Sequence, residues 1–103
     1  SAFPDGNKEK STINYSNSFE NNIIEVYDSL DRIVSRKKTI PDFNSNEIQS
    51  FEYKDDKITK IITTDSFSDV LKTIWIFNKK GLLVEEKWFL NNLLTGIEKY
   101  YYE

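Results

Sequence analysis

The chain of 103 residues contains no cysteine, no histidine and no methionine, and only three glycines and two prolines. Without cysteine there is no disulfide, no thiol nucleophile and no thiolate metal site. Without histidine, the Ser-His and Cys-His pairs of many hydrolases and the usual zinc sites are excluded too. A phosphate-cradling loop is missing, since Gly6, Gly81 and Gly96 stand far apart. The longest apolar run is Ile74-Trp75-Ile76-Phe77, against the roughly 20 residues that a membrane-spanning helix needs. Concentrated basic charge is scarce: Arg36-Lys37-Lys38 is the one dense cluster, and 17 acidic against 14 basic residues leave a net charge of −3. That balance speaks against nucleic acid as a partner. The length suits one small domain.

Carboxylate chemistry remains, and spacing argues against it. Asp55-Asp56 falls in a predicted turn and Glu85-Glu86 in a predicted strand, where consecutive side chains leave opposite faces and cannot converge on one substrate. The stretch Asp65 to Asp69 offers oxygens at alternate positions, as a calcium loop does. Val70 stands where that loop needs glycine, and Ile76 where it needs the closing glutamate. Asn14-Tyr15-Ser16 matches a glycosylation acceptor, a pattern too short to carry weight outside a eukaryotic secretory chain. The chain is therefore read as non-enzymatic, with no metal and no cofactor.

Aromatic residues are abundant, at 15%, and with isoleucine they favour strands. Three segments, 25–37, 51–63 and 75–87, share one layout: an aromatic, a polar break, then an aliphatic stretch. Tyr27, Tyr53 and Phe77 are spaced 26 and 24 residues apart, and a further 24 leads to Tyr101. A period in this range signals a repeated supersecondary unit. The breaks at Asp55-Asp56 and at Lys79-Lys80-Gly81 make that unit a β-hairpin, with Gly81 suited to the left-handed position of a type I turn with a bulge. Asn91-Asn92 reads as a further tight turn. Seven strands are predicted, near 22–27, 32–38, 48–54, 57–64, 71–78, 82–90 and 93–102. Loops join them through the Pro41 region and through residues 64–70. A helix over 18–30, opened by Ser18, is the second reading; Asn21 leaves its capping box incomplete. The polar start, with Pro4 and Gly6, reads as a processed end and tether, so that residues 1–19 form a flexible or loosely packed segment and 20–103 the domain. That processing favours an extracytoplasmic protein (periplasmic, secreted or lipid-anchored) over a cytoplasmic one.

The stretch FNKKGLLVEEKWFLNNLLTGIEKYYYE, residues 77–103, runs aromatic, turn glycine, leucine, aromatic, asparagine turn, leucine, Thr-Gly and a tyrosine-rich end. It resembles the variant MORN repeats of bacterial hairpin-repeat proteins, antitoxin-like members included. YDSLDRIVSRK, residues 27–37, looks like the YD-type repeats of bacterial surface proteins and lipoproteins. The resemblance implies a meandering sheet, often exported, that binds partners without catalysis.

The expected fold is all-β, with room for one short helix: an antiparallel meander of repeated β-hairpins forming a single twisted sheet. On the strand holding Trp75 and Phe77, Ile74 and Ile76 add bulk to the opposite face, whereas a strand with one wet face alternates apolar and polar. These aromatics are either interior packing or a surface that a partner covers, and the sequence leaves both open. The expected function is non-catalytic protein binding through an aromatic sheet face, with Trp75, Phe77, Trp88 and Tyr101 as anchors. The alternative is an immunity or antitoxin protein that neutralises a bacterial toxin by direct binding, its excess of carboxylates suiting a basic partner. A third reading is a module that self-associates through its terminal strand.

Overall fold

The computed structural model describes residues 7–16 and 19–102. Eight strands form one antiparallel sheet in simple sequence order: β1 (Lys8–Ser16), β2 (Phe19–Tyr27), β3 (Ile33–Ile40), β4 (Ser45–Lys54), β5 (Lys57–Ser66), β6 (Val70–Phe77), β7 (Leu83–Leu90) and β8 (Leu93–Lys99). The expected meander is the observed one. Among the described residues only a single 3-10 turn, Pro41–Phe43, departs from strand and loop, and the stretch from Phe19, within the second-choice helix, is β2.

Seven strands were read from the sequence; the eighth is β1, which pairs with β2 through nine residues. Its sequence, KEKSTINYS, is too polar to announce a strand. The last strand also stops at Lys99, before the tyrosine run. Pro4, Gly6 and Ser18 lie outside the described residues.

The turns explain the hairpins. Asp28 and Asn78 open two turns of the same kind: each side-chain oxygen Oδ1 accepts two backbone N–H bonds, from Leu30 and Arg32 in one case and from Lys80 and Leu82 in the other, at 2.9 to 3.0 Å. The left-handed fourth position is Asp31 in the first, at φ 62°, and Gly81 in the second, at φ 84°. Asp55-Asp56 and Asn91-Asn92 instead close two-residue hairpins, both residues of each pair having positive φ. Asp and Asn tolerate that region better than other side chains.

A second device recurs. In the β2–β3, β4–β5 and β6–β7 pairs one strand carries one extra residue: Val34, Thr59 and Val84 stand opposite no partner, at intervals of 25 residues. Thr95 does the same in β8. Such bulges sharpen the twist and lock the register. Thr59 and Thr95 also bond across the bulge, their hydroxyls donating to the carbonyls of Glu52 and Trp88 at 3.3 and 3.1 Å.

Among the described side chains, those of residues 7–13 and 20–102, none is buried and none of the large ones reaches a dry interior. The radius of gyration, 15.8 Å, exceeds the roughly 13 Å of a compact domain this long. The sheet is a single layer, and its apolar residues are half-covered by neighbours on the same face. A clip at the turn end ties two hairpins together: Arg32 donates to Asp28 at 2.9 Å and to Asp56 at 3.0 Å, lies 4.7 Å over the Tyr53 ring, and the Tyr53 hydroxyl donates to the Ile33 carbonyl at 2.7 Å. The backbone N–H of Arg32, then its guanidinium, hold the Asp28 carboxyl below the ordinary carboxylate range, against partial desolvation.

A depressed folded pKa gives stability that is complete above the unfolded value of about 3.9 and is lost as pH falls below it. Asp28→Asn should keep the turn, as Asn78 does, while flattening the decline of the urea midpoint with acid; an unchanged acid profile would remove Asp28 from that role. Gly81→Ala, forced to φ 84°, should cost about 1 kcal/mol in the same titration.

Candidate functional site

The register sorts the sheet into two chemically different faces. On one, cross-strand rows through β4 to β8 read Phe51, Ile61, Trp75, Glu86, Glu98, then Gln49, Thr63, Thr73, Trp88, Gly96, then Glu47, Asp65, Leu71, Leu90, Leu93. The other face carries Ile62, Ile74, Lys87 and Ile97 in one row, and Thr64, Lys72, Phe89 and Leu94 in the next.

Trp75 and Phe77 share the first face through their even spacing on β6, and the β6–β7 register, which sets Trp88 opposite Thr73, adds Trp88. The Trp75 indole N–H donates to Glu86 Oε1 at 3.0 Å, which fixes the ring against β7. Trp88 lies over Gly96 of β8: a methyl group there would meet ring atom Cε3 at 2.9 Å. The glycine is therefore the seat of the ring, a pairing hidden from the sequence because the Thr95 bulge resets the register between β7 and β8. Phe77 forms part of an open groove of about 530 Å³ with Lys54, Lys57, Thr59 and Lys79 at the turn end.

Tyr101 stands apart. It follows β8 and is 87% exposed. Its two neighbours are the ones tied down: the Tyr100 amide donates to the Val84 carbonyl at 2.9 Å, and the Tyr102 hydroxyl to the Leu83 carbonyl at 2.7 Å. The latter repeats the Tyr53 to Ile33 bond one turn-type period later. Partial desolvation, then the charges of Glu86 and Glu98 and the neighbouring Tyr102, raise the Tyr100 hydroxyl above the ordinary tyrosine range.

Like charges meet directly on this face. Glu86 opposes Glu98 and Glu47 opposes Asp65, and of these four, among the described residues, only Glu47 pairs with a cation, Arg36 at 3.6 Å. Directly opposed carboxylates are unfavourable in a sheet, and a cation brought from outside relieves them. Across the opposite face, charges alternate instead: Glu52 faces Lys60 and Glu85 faces Lys99, while Lys87 reaches Glu85 at 3.2 Å. Lys72 lies 4.7 Å over the Phe89 ring. Among the described residues no cluster of acidic side chains has the arrangement of a metal site, and no helix is long and apolar enough to cross a membrane.

No protein-family model, curated protein or solved structure matches this chain.

Gly96→Ala should destabilise the protein by about 1–3 kcal/mol and shift the tryptophan emission, because the Trp88 ring has to leave its seat. Chemical unfolding followed by fluorescence checks both; an unshifted emission with unchanged midpoint would refute the seating.

Proposed function

We propose that the chain is a non-catalytic protein-binding module that docks a partner on the face carrying Trp75, Phe77 and Trp88, with Tyr101 as an exposed anchor beside it. One observation carries the reading: aromatic rings and opposed carboxylates share a face that, among the described residues, no second layer covers. Aromatic side chains supply large contact area at low entropic cost, and uncompensated carboxylates favour a basic partner. An extracytoplasmic place of action, as the resemblance to exported hairpin-repeat proteins implies, belongs to the same proposal.

An immunity or antitoxin role is the more specific form, supported by that resemblance and by the acidic surface. Its test is a growth assay in which the neighbouring gene of the source genome is expressed with and without this chain. Rescue from arrest supports the role; toxicity without rescue refutes it.

For the binding reading, the wild-type chain, Trp75→Ala and the opposite-face control Ile74→Ala are immobilised and exposed to extract of the source organism. The expected result is a protein retained by wild type and by Ile74→Ala and lost from Trp75→Ala, with circular dichroism showing all three folded. Equal retention by all three would remove the aromatic face from binding.

A further inference from the structure

The four C-terminal strands separate charge by face. Along the β5–β6, β6–β7 and β7–β8 pairings, the aromatic face carries Asp65, Glu86 and Glu98 and no cation. The opposite face of the same pairings carries Lys60, Lys72, Lys87 and Lys99 against one carboxylate, Glu85. The apolar residues divide in the same way. At one corner Leu71, Leu90 and Leu93 are exposed on the acidic face; behind them Val70 and Leu94, with Ile97 nearby, are exposed on the basic face.

From this geometry we propose that the acidic aromatic face of β5–β8 seats the basic aliphatic face of the same strands in a second copy of the chain, so that copies stack sheet on sheet. The inference rests on the aromatic face being a protein-binding surface and names a second copy as its occupant. Three pairings of faces are available to two copies. Acidic on acidic and basic on basic both bring like charges together; only acidic on basic is complementary.

Shape agrees with charge. Identical sheets share one hand of twist, so one nests on the next at the usual spacing of about 10 Å. A copy displaced along the sheet normal sets Leu71, Leu90 and Leu93 of one against Val70 and Leu94 of the other, and brings Glu86 and Glu98 near Lys87 and Lys99. Half of a 47 × 35 Å face offers on the order of 800 Å², the share of each partner in a standard stable interface. Both half-wet faces are then covered by one kind of contact, which is head-to-tail and distinct from pairing at a sheet edge.

The test is sedimentation velocity over a range of concentrations, at about 0.01 M salt, where charges act across roughly 30 Å, and at about 1 M, where they act across roughly 3 Å. The wild-type chain should grow in mass with concentration at low salt and return to monomer at high salt. Asp65→Lys with Glu98→Lys reverses the sign of the acidic face; Lys72→Glu with Lys99→Glu reverses the basic one. Each double variant alone should associate at least ~10-fold more weakly. An equimolar mixture of the two should associate again, since each supplies the face the other lost, and misfolded variants could not produce that rescue. A wild-type chain that stays monomeric at low salt overturns stacking and leaves the aromatic-face reading to its own capture test. Association abolished by the acidic-face variant but untouched by the basic-face one also overturns stacking, while keeping the aromatic face as a contact. Association that neither variant alters overturns it in favour of the sheet edges.

Discussion

The described residues form a one-layer sheet, which must shelter its apolar side chains with their own neighbours on the same face. Everything else in this molecule follows from that constraint. Each half-buried isoleucine or tryptophan depends on the residue directly across the ladder, so the register carries the energetics that a packed core carries in an ordinary domain. A slip of one residue would exchange the two faces completely, placing lysines among the tryptophans. The bulges at Val34, Thr59 and Val84, and the turns anchored on Asp28 and Asn78, are the devices that forbid the slip. Turn chemistry thereby decides surface chemistry.

Much of this was legible from composition and spacing. The hairpins were visible because β-rich runs are cut by Asp55-Asp56, Lys79-Lys80-Gly81 and Asn91-Asn92, residues with a conformational reason to turn. β1 was not, since a strand at the end of a ladder needs only backbone pairing, and KEKSTINYS has few apolar residues to reveal it. The bulk on both faces at Ile74 to Phe77 left two causes open in the sequence, internal cover or a partner. Among the described residues the sheet has no second layer on either side.

Placement of individual site residues was less legible. Trp75, Phe77 and Trp88 fall on one face because their spacing is even within a strand and because the β6–β7 register is regular between Leu71 and Ile76. The arithmetic that led to Tyr101 assumed an unbroken period, and the Thr95 bulge shifts the end of β8 by one residue. Tyr102 rather than Tyr101 therefore makes the bond to Leu83 that Tyr53 makes to Ile33. The separation of charge by face was hidden as well, since it depends on which strands are neighbours and in what register.

The matching turns at Asp28 and Asn78 lie 50 residues apart and are separated by four strands, an even number. Cutting the chain at equivalent points in these two turns and rejoining it would remove or add four strands without changing which face any remaining side chain occupies. Val34 and Val84 would keep their bulges, and Arg36 and Glu86 would still project on the same side. The sheet is thus extensible in whole blocks, and unequal recombination between the two turns yields longer or shorter ribbons whose two surfaces keep their separate identities.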